Sequence, residues 1–338
     1  MKKLLIFLCV CNLLLACNKK DEQATKPEQP VNETKVEENT TNHHSQNIKE
    51  NDSENIADDN AEETSNTEYK SLGEAAAYGD IKQVEKLLDA GVDVNYMQPN
   101  DGTGWYCGED YCEDSDEQVE QYFQYDRDNG TPLMRAAYNG HLKVVKLLID
   151  KGADINIQNE AGSTALMKAA YKGYFEIVKL LIDKGAKINL KERHGATALI
   201  KGVAQGYTEI VKLLLDKGAD VNVADAYNCE DNICFHEPEG TALESAVFHD
   251  RIEIVKLLLN KGADVNFHLD FKQPSCWWCE TVLTRAVYTG NPEIVKLLID
   301  KGANVNEQNS EEKTPLYIAD NNDYTEIAEL LKAAGAKE

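Results

Sequence analysis

The sequence repeats itself, and this internal repeat limits the folds open to the chain more than any other feature. A leucine and a glycine nineteen residues after it recur together along the chain, and three of the spacings between successive leucines are 33 residues. The chain therefore contains seven copies of a 33-residue unit, with leucines at Leu72, Leu133, Leu166, Leu199, Leu243, Leu283 and Leu316, and glycines at Gly91, Gly152, Gly185, Gly218, Gly262, Gly302 and Gly335.

Each unit contains two runs with helical periodicity. The first is short and rich in alanine, as at Ala136 and Ala137, whose small side chains let two helices approach closely. The second is apolar on nearly every side, as at Leu147, Leu148 and Ile149, so it must be covered from more than one direction. One such pair of helices cannot bury this surface alone, whereas a stack of pairs can. The pattern predicts an all-α solenoid.

The units resemble the ankyrin repeat. The ankyrin pattern consists of Thr-Pro-Leu, an alanine pair, an acidic-aliphatic run and a closing Gly-Ala-Asp-Val-Asn, and nearly all of it is present from about residue 70 to 338. The resemblance implies helix-turn-helix units joined by β-hairpin fingers. One departure is consistent, because the histidine usual after Thr-Pro-Leu is absent. Its hydrogen bonds to the neighbouring turn are then missing, which predicts some loss of local rigidity. The replacements are Met134, Met167, Ile200, Glu244, Thr284 and Tyr317.

All length variation between units falls in the connection that corresponds to the finger. We predict units at about 69–97, 129–161, 162–194, 195–227, 239–270, 280–311 and 312–338. The insertions lie between them, at about 98–128, 226–238 and 268–279. By the resemblance they project along one edge of the ankyrin-repeat domain, 69–338.

The N-terminus has the pattern of an export signal. A cationic start precedes an apolar core, Leu4 to Leu15, which is too short to cross a bilayer as a helix. Leu14-Leu15-Ala16-Cys17 resembles the lipobox of bacterial lipoproteins, which implies a signal peptide at 1–16 and acyl chains on Cys17. Several acyl chains anchor a protein stably. We therefore expect a lipid-anchored protein of the bacterial cell envelope, facing the periplasm or the cell surface. Because Asn18 is not Asp, the outer membrane is weakly favoured.

Residues 17–68 are predicted to form a lipidated, disordered linker. Positions 18–68 hold 14 acidic and 5 basic residues with no Phe, Trp or Tyr, so they cannot bury enough apolar surface to fold. The whole chain has a formal net charge of -24, which opposes binding to nucleic acid and to anionic lipid headgroups. Contact with a membrane is expected through the lipid anchor alone.

Six cysteines beyond Cys17 fall as one close pair in each insertion: Cys107 and Cys112, Cys229 and Cys234, Cys276 and Cys279. Outside the cytosol, locally paired cysteines favour disulfides, which would stiffen the finger tips. A four-thiolate zinc site on the second and third insertions is the alternative, with His236 and His268 as substitute ligands. Cys276-Trp277-Trp278-Cys279 also admits a thiol-redox interpretation, although the repeat offers no βαβ context for it.

A row of aromatic residues marks a candidate binding surface. Five residues after the unit leucine stand Tyr138, Tyr171, Phe248 and Tyr288, at a position that faces the concave groove in ankyrin proteins. They are either half-buried packing residues or anchors for a partner protein, a role that interfaces favour for aromatics. Trp105, Trp277 and Trp278 in the insertions extend the set. The first insertion, with ten carboxylates between Tyr96 and Gly130, favours a basic patch on that partner.

The sequence offers no catalytic constellation. No Ser, Cys or His lies at a spacing from a base that would indicate a catalytic pair. The segment Asp126 to Gly130 does not match a calcium-binding loop, because the twelfth position of that loop would be Ala137 and not Glu. We expect no enzyme activity, cofactor or bound metal. The predicted function is a membrane-anchored scaffold for protein-protein interaction, and the alternative is a zinc-binding or thiol-redox module.

Thiol counting separates these two functions. Purified protein, denatured without reductant, is expected to show no free thiol and no zinc by thiol titration and metal analysis, because each cysteine pair is oxidised. Zinc near one equivalent per chain would instead establish the metal-binding alternative.

Overall fold

The computed structural model describes residues 71–97, 130–193, 195–224, 240–267, 281–309 and 311–337. All of them belong to one structural unit of the chain. Within these ranges, no helix has both the length and the apolar character that crossing a bilayer requires.

The described ranges contain fourteen α-helices in seven consecutive pairs, which confirms the predicted all-α repeat fold. The pairs are α1 (Leu72–Ala77) and α2 (Ile81–Asp89), α3 (Pro132–Tyr138) and α4 (Leu142–Asp150), α5 (Ala165–Lys172) and α6 (Phe175–Asp183), α7 (Ala198–Gln205) and α8 (Thr208–Asp216), α9 (Ala242–Phe248) and α10 (Ile252–Asn260), α11 (Val282–Thr289) and α12 (Pro292–Asp300), and α13 (Pro315–Asn321) and α14 (Thr325–Ala333).

Local signals in each unit set where its helices begin and end. A threonine precedes the first helix of units two to seven, and its hydroxyl accepts a hydrogen bond from the backbone N–H three residues on, as Thr164 does from Met167. This cap satisfies one of the N–H groups that a helix start leaves without a partner. The second helix ends two residues before the unit glycine. Gly185 adopts a φ of 94°, and a Cβ there would meet no atom within 4 Å, so its backbone conformation alone calls for glycine.

The core runs continuously between two rows of helices. Each first helix contacts the first helices of its neighbours, and each second helix does the same in its own row, from unit one to unit seven. Alanine pairs of the first helices are fully buried, as are one valine and one leucine in most second helices, for example Val178 and Leu181. Because each unit covers its neighbour, the apolar surface that one pair cannot bury is removed from water by the stack.

Asparagine side chains tie each unit to the next, and we call this set the asparagine ladder. In each contact an Oδ1 atom accepts a hydrogen bond from a backbone N–H just beyond the closing glycine of the next unit. The contacts, from asparagine to backbone N–H, are Asn95 to Asp154 at 2.8 Å, Asn156 to Lys187 at 2.7 Å, Asn189 to Asp220 at 2.9 Å, Asn222 to Asp264 at 2.9 Å, Asn266 to Asn304 at 2.9 Å and Asn306 to Lys337 at 2.8 Å.

The ladder also bridges the three places where the sequence carries an insertion. Asn95, Asn222 and Asn266 each precede an insertion, yet they reach the following unit with the same geometry as Asn156 and Asn189. The two flanks of the second insertion also meet, because Ala224 and Thr241 form an antiparallel bridge. The register of the stack is therefore independent of finger length.

Exposed ion pairs follow the same edge of the stack. In units two to five, a lysine just after the second helix approaches the aspartate that ends the preceding unit's second helix, as Lys261 Nζ does to Asp216 Oδ1 at 2.8 Å. The hydrogen bond and the charge of Lys261 lower the pKa of Asp216 below its ordinary value. Because these pairs are open to solvent, they add little to stability.

Other contacts are present at the position where the family's histidine is missing. Met134, Met167 and Ile200 are buried there, and they trade the histidine's hydrogen bonds for apolar packing. Glu244 instead completes a capping box with Thr241. The hydroxyl of Thr284 donates a hydrogen bond to the carbonyl oxygen of Thr281, at 2.9 Å. Different residue types thus make different contacts at the same helix start, and the loss of local rigidity stays a prediction.

The short fingers are turns rather than the expected β-hairpins. In the part of the chain that the structure describes, the only β-pairing is the isolated bridge between Ala224 and Thr241. Neighbouring fingers are still connected, because Arg193 donates its backbone N–H to the carbonyl of Ala161 at 2.8 Å. A side-chain contact from Gln158 Nε2 to the carbonyl of Lys191, at 2.8 Å, adds to this connection.

We expect Asn189→Ala to destabilise the protein by about 1–2 kcal/mol, measured by urea unfolding, since it removes two hydrogen bonds between units. These are the bonds of Asn189 to the Asp220 N–H and to the Gly218 carbonyl. The control is Asn139→Ala, whose side-chain amide donates a hydrogen bond to the Arg135 carbonyl within its own unit and whose loss should cost about 0.5 kcal/mol or less. Equal losses in the two variants would show that the ladder does not hold units together.

Candidate functional site

The predicted aromatic row lies at the ends of successive first helices. Tyr171, Phe248 and Tyr288 are 36%, 47% and 41% exposed, and Tyr138 is partly buried. Ala204, 8% exposed, leaves a gap at the same position in the unit between Tyr171 and Phe248. Because consecutive first helices pack side by side, these residues form one row across the stack.

The exposure of this row follows from the spacing within each first helix. The unit leucine and the residues three and four positions later face the core, as Leu166, Ala169 and Ala170 do at 0–1% exposure. Position five after the leucine lies on the helix face that points away from the core, whereas position two is more buried, as Lys168 is at 6% exposure. We call this face the first-helix face.

Buried and half-buried cations lie beside the first-helix face, a feature that the sequence reasoning above missed. Two residues after the unit leucine stand Arg135, Lys168, Lys201 and Arg285. These cations recur in the repeat register, which is the sequence signal that indicates them, although the net charge of the chain is strongly negative.

The cations contact the aromatic rings. Lys172 Nζ lies 4.4 Å from the ring centre of Tyr138 and 5.7 Å from that of Tyr171, and so it bridges two units. The guanidinium of Arg285 lies 5.6 Å from the ring centre of Phe248, one unit away. A cation within about 6 Å of an aromatic face is attracted by the ring quadrupole. These contacts hold partly exposed rings in defined positions.

One short finger is fixed to the first-helix face. Glu192 of that finger pairs with Lys201 Nζ at 3.0 Å and accepts a hydrogen bond from the hydroxyl of Ser163 in the preceding finger. Both side chains of the ion pair are largely shielded, with 26% exposure for Lys201 and 13% for Glu192. The finger and the face are therefore one connected surface in this unit.

The histidine at the turn between two helices has a structural contact. His141 Nε2 lies 2.9 Å from the carbonyl oxygen of Ala77, across the boundary between units one and two. Tyr207 occupies the same position two units later and packs on Gly173, where a Cβ would lie only 2.5 Å from the ring. This position therefore connects neighbouring units.

Several predicted site residues lie outside the described residues. They are the lipid-attachment site Cys17, the insertion tryptophans Trp105, Trp277 and Trp278, and the paired cysteines Cys107, Cys112, Cys229, Cys234, Cys276 and Cys279. Their roles stay predictions. In the described ranges, no group of three or more His, Cys, Asp or Glu is arranged to hold a metal ion.

The fold and the first-helix face define a helical repeat protein with an exposed, aromatic and cationic surface. Comparison with known families gives two descriptions. "Ankyrin repeats (3 copies)" matches residues 111–159, 133–225 and 267–337, and "Ankyrin repeat" matches 240–268. The chain belongs to the ankyrin-repeat family. Members of this family are generally binding scaffolds without enzyme activity, so the repeats imply a scaffold for protein-protein interaction.

Among solved structures, the chain is similar to the ankyrin repeat domain of human ASB11. The two are 26% identical with a TM-score of 0.56, and the match covers 80% of this chain and 100% of that domain. No curated protein sequence matches at a significant level.

Proposed function

We propose that this protein is a lipid-anchored scaffold of the bacterial cell envelope that binds a partner protein through its first-helix face and its fingers. The observation that carries the proposal is the row of Tyr138, Tyr171, Phe248 and Tyr288 on a continuous stack of helices, with cations against the first three rings. Large aromatic side chains that are both exposed and positioned are characteristic of interface anchors.

The stack lowers the cost of binding. The asparagine ladder and the buried helix contacts fix neighbouring units relative to one another, so the anchors are in place before the partner arrives. A surface that is ordered in advance loses less entropy on binding, and more of its contact energy appears as affinity. The fingers beside the face would add specificity, as the contact of Glu192 with Lys201 illustrates in a short one.

The proposed anchor and location rest on the N-terminal pattern. An apolar core of export-signal length ends in Leu14-Leu15-Ala16-Cys17, and acyl chains on Cys17 would keep the protein at a membrane. A polar linker of 51 residues has a typical end-to-end distance of roughly 40 Å, which would let the repeats reach partners away from the bilayer.

Crosslinking in intact cells followed by mass spectrometry tests the proposal. The natural protein is expected to recover a partner that is lost or strongly reduced in a variant carrying Tyr138→Ala, Tyr171→Ala and Tyr288→Ala. The three rings are at least partly exposed, so their removal should leave the thermal unfolding of the purified protein nearly unchanged.

A matched variant controls for general damage. Glu176, Glu209 and Glu326 are exposed in the first turn of second helices, and changing all three to alanine should retain the partner. A Cys17→Ser variant should appear in the soluble fraction, because the acyl chains cannot be attached. Recovery of identical neighbours by the natural protein and by the tyrosine variant would show that the first-helix face is not the contact surface.

A further inference from the structure

The most exposed aromatic residues of the first helices lie together at the C-terminal end of the stack. Phe248, Tyr288 and Tyr317 belong to three consecutive units, five to seven, and are 47%, 41% and 54% exposed. Tyr317 stands one residue after its unit leucine, so it was not part of the predicted aromatic row. We call these three residues the C-terminal aromatic patch.

One lysine connects two members of the patch with the finger before unit seven. Lys313 Nζ donates a hydrogen bond to Glu311 in that finger at 2.6 Å, and it also interacts electrostatically with Tyr288 and Tyr317. The hydrogen bond with Glu311 raises the pKa of Lys313 above its ordinary value, and the two tyrosines act in the same direction, against the effect of burial. The surroundings of the patch therefore favour positive charge.

Contacts inside the protein show how a cation meets such rings. The guanidinium of Arg285 lies 5.6 Å from the ring centre of Phe248, and Lys172 Nζ lies 4.4 Å from that of Tyr138. The ring quadrupole attracts the charge, and the methylene groups of lysine and arginine pack on apolar surface. The exposed parts of the Tyr288 and Tyr317 rings offer the same contact to a side chain from another protein.

The charge of the last unit and of the finger before it is negative. Between residues 307 and 337, seven acidic side chains of the described residues stand against three basic ones: Glu307, Glu311, Glu312, Asp320, Asp323, Glu326 and Glu329 against Lys313, Lys332 and Lys337. The first helices of units two to four carry no acidic residue, and their charged residues are Arg135, Lys168, Lys172 and Lys201. A basic ligand is therefore attracted to the C-terminal end of the face and not to its N-terminal half.

We propose that the C-terminal aromatic patch binds a basic segment of the partner protein. Lysine or arginine side chains of the segment lie on the rings of Tyr288 and Tyr317, and an apolar side chain packs against Phe248. This inference rests on the proposed function, because it names the chemistry of the partner at one end of the same face. The acidic first insertion led to the expectation of a basic partner from a separate part of the chain.

Salt distinguishes this site from general attraction to an acidic protein. Charges in water are screened beyond about 8 Å at physiological ionic strength and over shorter distances in more salt. Contacts of a cation with a ring act within about 6 Å and include apolar packing, so they depend less on salt. At about 300 mM salt, attraction to the net charge of -24 alone should be lost, whereas binding at the patch should persist.

Selection from a random peptide library on phage, with the full-length protein as bait at about 300 mM salt, tests this proposal. Enriched peptides are expected to carry two or more Lys or Arg residues with aliphatic or aromatic residues beside them. A synthetic copy of the most enriched peptide is then titrated by fluorescence anisotropy against the natural protein and its variants.

The ring variant carries Tyr288→Ala and Tyr317→Ala, and should bind the peptide at least roughly tenfold more weakly. Replacing the same two residues by phenylalanine should restore most of the lost affinity, because the rings are retained. The matched control carries Tyr78→Ala and Tyr96→Ala, which removes two tyrosines of similar exposure, 47% and 51%, from unit one. Its affinity should change less than about twofold.

A second pair of variants tests the charge and decides the matter if the ring variant fails to fold. Glu311→Gln and Glu312→Gln together should weaken binding severalfold at about 150 mM salt. Glu176→Gln and Glu209→Gln remove the same charge from exposed sites on second helices, and their combined effect should stay below about twofold.

Enrichment of acidic or neutral peptides would overturn the inference and leave the proposed function standing. Equal affinity of the natural protein and the ring variant would overturn it as well, because the net charge alone would then attract the peptide. So would a ring variant whose only change is in self-association, since the occupant would then be a second copy of the chain. Peptide binding as expected, with crosslinked neighbours that do not depend on the tyrosines, would instead remove the proposed function.

Discussion

No single unit of this protein can bury its own apolar surface, and everything else in the structure depends on holding neighbouring units in register. Valine and leucine side chains from the second helices are removed from water only where the next unit covers them. The asparagine ladder fixes that register with hydrogen bonds at nearly constant geometry along the chain. Because these bonds come before the finger begins, a finger can grow without disturbing the stack. The repeat thus separates a rigid frame from segments that are free to vary.

The frame was predictable from the sequence because its determinants are local and periodic. Leucine, alanine pair and closing glycine recur at fixed distances, and each residue type has a direct physical reason at its position. The stabilisation of the helix starts was not predictable, because it depends on contacts that differ from unit to unit. Met167 packs, Glu244 closes a capping box and Thr284 bonds back to Thr281. The family pattern predicted a loss of local rigidity at these helix starts, because it contains only the histidine and not the other contacts that can form there.

The candidate site was half predicted. The aromatic row followed from the repeat register, and the structure places its members on one exposed face. The cations beside them stand in the same register but were not predicted, because the net charge of a chain does not show how its charges are distributed over the surface. Their meaning depends on distances between side chains of adjacent units, such as Lys172 between Tyr138 and Tyr171, which spacing along one unit cannot supply. The finger cysteines and tryptophans remain sequence predictions, since they lie outside the described residues.

Hydrogen exchange of backbone amides tests most directly whether one continuous frame underlies the whole repeat domain. The N–H groups of Asp154, Asp264 and Asn304 donate hydrogen bonds to their asparagine partners across the three insertions, whereas those of Lys187 and Asp220 do so between uninterrupted units. If the ladder carries the register past the insertions, all five amides should exchange with similar protection. Fast exchange at the first three, with slow exchange at the other two, would show that the insertions divide the stack into separate blocks and would contradict the account.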